Sequence, residues 1–197
     1  MCNDSSNMDK RERKEIIREE LRKNRRDISD ANFREWSDKI ISKLKDQREY
    51  KTARIIHAYV SMNDRREVNT HSLILEILNE QKKMVVPVTQ FKAGNLRHFY
   101  LESYNELKPN KWGVLEPEGG EECPIEKIEL VIVPMVGGDE QGYRIGYGGG
   151  FYDRFLEDIT CPKIGLCFEQ NMVDELPIEP FDIALDKIIT EKRIIRR

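Results

Sequence analysis

A chain of 197 residues, 39% of them hydrophobic, is long enough to bury one substantial core, and a single domain over 1–197 is the simplest reading of that length. Its 33 basic and 36 acidic residues leave a formal net charge of -3, which excludes the strongly basic surface that charge-driven binding of nucleic acid requires. No apolar run approaches the roughly 20 residues of a membrane span, and the polar start MCNDSSNMDKRERK lacks the apolar core of a signal peptide, so a soluble, cytoplasmic protein with no membrane and no nucleic-acid partner is expected.

From about Lys10 to Asp27 the pattern predicts a helix with a thin apolar stripe of Ile16, Ile17 and Leu21. Residues 1–9 before it read as a flexible N-terminal extension. Lys10, Arg11, Arg13, Lys14, Arg18, Arg22, Lys23, Arg25 and Arg26 crowd this helix and make either an anion site or a solvated face. Ser29 or Asp30 can cap a second helix, whose Phe33, Trp36, Ile40, Ile41 and Leu44 recur at three- and four-residue steps. The period then changes, because Arg54 to Val60 is a short apolar run of the kind that forms a buried strand.

Asn69 or Thr70 can cap a helix carrying Leu73, Ile74, Ile77 and Leu78, and Met84 to Val88 makes the next strand, completing a β-α-β unit. Asn95 to Tyr100 adds an edge or hairpin strand, and Lys108 to Pro124, rich in proline and glycine, reads as irregular loop. Leu130 to Pro134 is another buried strand. A glycine-rich loop follows and runs into a short helix at Tyr152 to Leu156, after which Lys163 to Phe168 and Ile183 to Thr190 supply the last strands. Strands alternating with helices and loops predict an α/β fold with a mostly parallel sheet covered on both faces.

The most informative stretch runs from Gly142 to Arg154, where Gly146, Gly148, Gly149 and Gly150 fall within five positions. Glycine there lets backbone N–H groups approach anionic oxygens closely, and a helix begins just beyond. The spacing matches neither the P-loop nor the dinucleotide fingerprint, and glycine density alone divides evenly between a phosphate cradle and a flexible turn. Arg144 adds a planar cation suited to phosphate. Asp153 adds either a helix cap or a hard oxygen ligand for Mg2+. Cys2, Cys123, Cys161 and Cys167 form no C-x-x-C pair, so neither a zinc cage nor a disulfide framework is suggested, and His57, His71 and His98 fit no catalytic pattern and read as structural.

The run from Val133-Pro134 through Gly142-Tyr-Arg-Ile-Gly-Tyr-Gly-Gly-Gly-Phe-Tyr-Asp153 resembles the signature of the 5-formyltetrahydrofolate cyclo-ligases, also called methenyltetrahydrofolate synthetases. The basic helix with Lys14 and Arg18, Glu67-Val-Asn-Thr70, Trp112-Gly-Val-Leu-Glu-Pro117 and Asp186-Lys-Ile-Ile-Thr190 follow in that family's order, so the resemblance covers nearly the whole chain. It implies an α/β three-layer sandwich akin to the sugar-phosphate isomerase and CoA-transferase group. It also implies a cytoplasmic monomer that uses ATP, with Mg2+, to turn 5-formyltetrahydrofolate into 5,10-methenyltetrahydrofolate.

By the same resemblance Lys14, Arg18 and Arg144 are implied to be catalytic cations on the ATP phosphates, and the backbone of Gly146, Tyr147, Gly148, Gly149, Gly150, Phe151 and Tyr152 the cradle. Asp153 and Asp186 are implied near the metal. Val60, Glu67, Leu96, Trp112 and Tyr152 are implied on the folate, although Val60 and Leu96 equally suit a core. Gly138 and Phe181 stand where the family carries an aromatic residue and a histidine, and both departures are assigned to the folate side. Two rivals remain: a non-catalytic folate or nucleotide binder, and a sugar-phosphate isomerase needing no ATP.

Overall fold

The structure, a computed structural model, describes residues 9–197, so Cys2 and all of the expected N-terminal extension but Asp9 lie outside the described residues. In chain order come α1 (Lys10–Arg26), α2 (Asp30–Asp46), α3 (Arg48–Thr52), β1 (Ile55–Ala58), α4 (His71–Asn79), β2 (Lys83–Gln90), β3 (Asn95–Leu101), β4 (Leu107–Pro109) and β5 (Leu115–Pro117). The second half contributes β6 (Leu130–Val133), β7 (Gly137–Asp139), β8 (Arg144–Ile145), α5 (Phe151–Glu157), β9 (Lys163–Leu166), β10 (Met172–Val173), β11 (Lys187–Ile189) and β12 (Ile194–Arg196).

A seven-stranded sheet runs in the order β12-β11-β9-β6-β1-β2-β3. Its five inner strands are parallel, and β12 and β3 close the two edges antiparallel to β11 and β2. Side chains alternate across it as strand geometry requires. Leu130 and Ile132 of β6 join Phe33, Ile40, Ile41 and Leu44 of α2 and Leu73, Ile74 and Ile77 of α4 on one face. Val131 and Val133 join Phe155 and Leu156 of α5 on the other. The result is the expected α/β sandwich of helix, mostly parallel sheet and helix.

Strand order explains where a ligand can enter. From β1 the chain builds outward through β2 to β3, then returns to place β6, β9 and β11 on the opposite side of β1. Connections therefore diverge between β1 and β6, and beyond the carboxyl ends of two such strands a crevice is left open. The small sheet β10-β7-β8 roofs part of this end; Asp139, fully buried, holds it by accepting from Gln141, Tyr143 and Leu176 backbone N–H groups.

Two local expectations change. Ile16 of the predicted stripe is half exposed, and the buried face of α1 is instead Lys14, Arg18, Leu21 and Arg25, one residue per turn of the same side. Burying three cations on one helix face is unusual enough to mark function rather than packing. Second, the 108–124 stretch is partly ordered: β4 and β5 pair, and Phe99 bridges Glu122 against the outer edge of β3. At the other end Ser29 is the cap of α2, its Oγ accepting from Asn32 N at 3.2 Å. Among the described residues no helix is long and apolar enough to cross a membrane.

Candidate active site

A cavity of about 590 Å³ opens beyond the carboxyl ends of β1 and β6, with Tyr59 and Val60 following one strand and Pro134 following the other. It brings together Lys14, Arg18, Val60, Glu67, Leu96, Arg144, Gly146 to Tyr152 and Asp153 of the sequence-derived set. The same wall also carries Arg11 and Glu116, which the sequence did not assign to the site, and Glu15, Thr89, Glu179 and Asp182, for which it offered no signal.

At one end the glycine loop presents its amides. The backbone N–H groups of Gly146 through Gly150 find no acceptor among the described residues, whereas the carbonyls of Gly146, Tyr147 and Gly149 accept from Arg18, Arg22 and Arg154 at 2.8, 3.2 and 2.9 Å. Arginines thus pull the carbonyls outward and leave a run of free donors, the arrangement of an anion nest. Gly150 makes this possible: its φ of +66° is a left-handed turn into α5, and a side-chain carbon there would meet Arg154 Nη1 at 2.7 Å.

Around the loop, three cations are paired with acids. Lys14 binds Glu179 at 3.2 Å and also Asp182; Arg18 binds Glu15; Arg144 Nη2 donates to Asp153 Oδ1 at 2.7 Å. Burial raises the Glu179 carboxyl, but the hydrogen bonds from Lys14 and Arg11 outweigh it and the net shift is downward.

Val60, Glu67, Leu96 and Tyr152 wall another part of the cavity. The turn after β1 is braced by the Tyr59 hydroxyl donating to Val68 O at 3.1 Å and by Thr70 Oγ1 donating to Tyr59 O at 2.8 Å. Arg66, at φ +53°, then reverses the chain so that Glu67 faces back into the cavity. Glu67 is 4% exposed and accepts from Met62 N and from the Tyr147 hydroxyl; burial raises its carboxyl while those two hydrogen bonds pull it back. Tyr152 lines the same end with a hydroxyl that has no partner among the described residues, and burial pushes that phenol upward. Glu116, by contrast, is committed to Thr89 N and Asn110 Nδ2, each at 2.9 Å.

Two sequence-derived site residues are not brought to the cavity. Asp186 is exposed at the amino end of β11, where its carboxylate accepts from Lys163 N at 2.7 Å, and the cavity lies at the carboxyl ends of parallel strands. The aspartate that this part of the chain does bring to the cavity is Asp182. Trp112 is 43% exposed and stacks on Phe91 with ring centroids 3.6 Å apart, while Val114 and Leu115 beyond it reach the wall. The two departures also resolve differently. Gly138 is buried in β7 away from the cavity, against Met135 and Ile188. Phe181 does line the cavity, but at the Lys14 end, 5.8 Å from Lys14 Nζ.

A family model described as the 5-formyltetrahydrofolate cyclo-ligase family matches residues 10–191. The 5-formyltetrahydrofolate cyclo-ligase of Escherichia coli (strain K12) is 28% identical over 180 residues, covering 88% of this chain and 98% of that protein. The mitochondrial 5-formyltetrahydrofolate cyclo-ligase of Arabidopsis thaliana is 28% identical over 209 residues, covering 92% and 75%. Among solved structures, the 5,10-methenyltetrahydrofolate synthetase of Aquifex aeolicus superposes with a TM-score of 0.83 at 30% identity, covering 93% of this chain and 92% of that one.

Proposed function

The chain belongs to the 5-formyltetrahydrofolate cyclo-ligase family, and from that premise we propose how its own residues close the folate ring. It is an ATP-dependent ligase that converts 5-formyltetrahydrofolate to 5,10-methenyltetrahydrofolate. The loop from Gly146 to Tyr152 seats the triphosphate, and Lys14, Arg18 and Arg144 neutralise it. The observation that carries this reading is the run of five backbone N–H groups without an acceptor on the same cavity wall as Lys14, Arg18 and Arg144, the combination that suits a polyanion. Folate occupies the end walled by Val60, Glu67, Leu96 and Tyr152, where a flat heterocycle can stack and offer its amide-like donors to the carboxylate.

The chemistry follows from a poor leaving group. The formamide oxygen attacks the γ-phosphorus, the bond from that phosphorus to the bridging oxygen breaks, and ADP leaves. The neighbouring nitrogen of the folate then attacks the activated carbon, the carbon–oxygen bond breaks, inorganic phosphate leaves and the nitrogen loses its proton. The chain's share is placement and charge, with the loop amides and three cations holding the transferring group while the Glu67 end fixes the formyl oxygen in line. No covalent intermediate on the protein is required.

Magnesium suits the donors present. Asp153 and Asp182 both line the cavity, and one or two carboxylates completed by substrate phosphates is the usual way this ion is held. Among the described residues no group of three or more His, Cys, Asp or Glu residues is placed to cage a metal, which favours an ion carried in with the nucleotide. Bound there, it supplies charge neutralisation on the phosphates. We also read the chain as one domain acting as a monomer in the cytoplasm, the last of these supported by the free thiols of Cys123, Cys161 and Cys167.

The test is to incubate the protein with 5-formyltetrahydrofolate, with and without ATP and Mg2+, and follow the absorbance of the methenyl product. Formation that depends on both additions is expected. Absence of product from folded protein under those conditions would sink the assignment and leave a non-catalytic binder.

A further inference from the structure

Both oxygens of Glu67 are engaged by the protein itself: Met62 N–H donates to Oε2 and the Tyr147 hydroxyl to Oε1, each at 2.7 Å. The Tyr147 oxygen in turn accepts from Arg25 Nη2 at 2.5 Å, and Arg25 Nη1 donates to the Met135 carbonyl at 3.2 Å. Arg25 is 4% exposed and stands behind the cavity wall rather than on it. A guanidinium can only donate. The one proton of the Tyr147 hydroxyl must therefore point away from Arg25, and Glu67 is the acceptor it meets.

The tyrosine ring is held as well as its hydroxyl. Arg22, Arg25 and Arg65 place their guanidinium carbons 5.4, 5.5 and 5.7 Å from its centroid. Tyr147 belongs to the glycine loop, whereas Glu67 belongs to the turn after β1, so this hydroxyl joins two segments eighty positions apart in the chain.

We propose that Arg25 is a positioning residue for the reaction: acting through the Tyr147 hydroxyl, it fixes the direction of the Glu67 carboxylate and ties the folate end of the cavity to the phosphate loop. The proposal rests on the reading of Glu67 as the folate-facing carboxylate. An ionised carboxylate offers about four lone-pair directions, and the two fixed donors leave the others for the substrate. Burial raises the Glu67 carboxyl, and what pulls it back is Met62 N–H, the Tyr147 hydroxyl and the charges of Arg25 on α1 and Arg65 in the turn. The phenols of Tyr59 and Tyr152 also face it and supply no charge. Burial outweighs these, so the net direction for the Glu67 carboxyl is upward.

The experiment compares Tyr147→Phe, Arg25→Met, their double variant, Arg25→Lys and Glu67→Gln, measuring KM for 5-formyltetrahydrofolate, kcat, and ATP affinity by equilibrium binding. Tyr147→Phe and Arg25→Met should each raise the folate KM about tenfold, the effect of losing one hydrogen bond in a charged relay, with ATP affinity within about twofold of the parent. The double variant should be no worse than the poorer single one, because removing the hydroxyl already cuts the path from Arg25. Arg25→Lys, which keeps a donor and a charge, should recover part of the loss. Additive losses in the double variant, or equal loss of ATP and folate binding, would overturn the proposal by showing that Arg25 merely packs α1. Should Arg25→Met not fold, Tyr147→Phe removes a single oxygen, and a parental folate KM in that variant overturns the proposal alone. Parental kinetics for Glu67→Gln would instead overturn the reading of Glu67, and the positioning role with it; impaired Glu67→Gln with additive Arg25 and Tyr147 effects would overturn only the latter.

Discussion

His57 and His98 form a buried edge-to-face pair behind the site, 5.1 Å between ring centroids, packed on Phe155 at 4.9 and 4.2 Å. Both nitrogens of His57 and Nδ1 of His98 have no partner among the described residues. Burial, chiefly, lowers the affinity of both rings for protons, pushing His98 down to about 4 and His57 well below its ordinary value; Glu122 pulls His98 the other way. In the unfolded chain both return to about 6.5. As pH falls below 6.5 the unfolded state therefore takes up protons that the folded state refuses, so stability present above that value is lost progressively toward pH 4. For His98 the loss by about pH 4.5 is two units at 1.36 kcal/mol each, reduced slightly by partial protonation of the folded ring, or about 2.5 kcal/mol. Replacing His98 by leucine deletes this term and leaves other titrations largely in place. Urea unfolding at about pH 7.5 and 4.5 should show the variant losing about 2.5 kcal/mol less than the parent over that interval. A difference under about 0.5 kcal/mol would show that His98 is hydrated or partnered in solution, and the burial argument for the pair would fail with it.

Lys14→Ala and Arg18→Ala should each weaken ATP binding about tenfold or more while moving the folate KM less than about twofold, read by equilibrium binding and initial rates; unchanged ATP affinity in both would return the α1 face to structure. Asp153→Asn should cut turnover and raise the Mg2+ concentration needed for half activity, because an amide keeps the shape but not the charge that holds a divalent ion; a parental Mg2+ titration would remove it from the metal. Gly150→Ala should cost about 1 to 2 kcal/mol from its left-handed φ, more if Arg154 cannot yield, and should weaken ATP binding; thermal unfolding and nucleotide titration measure the two. Gly138→Ala should destabilise by about 1 to 3 kcal/mol, since its new carbon would lie 2.5 Å from Met135 Cε, yet leave the folate KM unchanged; a raised KM would put β7 back into the folate pocket.

What could be read from the sequence follows the physics of each element. β1 and β6 are buried on both faces, so they stand out as unbroken apolar runs, and α2 and α4 stand out by their three- and four-residue steps. The sheet of β7, β8 and β10 consists of two- and three-residue strands containing Gly137 and Gly138, too short for any period to register. The glycine loop was legible because its chemistry is local. The partners of its cations were not, because Lys14 meets Asp182 across 168 positions and Arg25 meets Tyr147 across 122. Asp186 was misplaced because the last strand was expected from Ile183, whereas β11 begins only at Lys187, which leaves Asp186 at the end of the sheet facing away from the crevice. Trp112 carried no signal either way, since a loop tryptophan stacks equally well on a substrate or, as here, on a neighbouring phenylalanine.

Lys14, Arg18 and Arg144 are each accompanied by acids, so on the proposed assignment of these cations to the phosphates, nucleotide capture is an exchange of partners rather than the filling of a bare positive hole. On that assignment an arriving phosphate competes with Glu179 for Lys14 and with Glu15 for Arg18, while Asp153 and Asp182 turn from their cations toward the Mg2+ ion. A single small anion, such as sulfate or inorganic phosphate, cannot displace them all, whereas a triphosphate spans several at once. The pairing thus trades raw affinity for selectivity by charge number, and it gives the spent phosphate a competitor on its way out, so that a reaction which liberates an anion in its own pocket is not stalled by it.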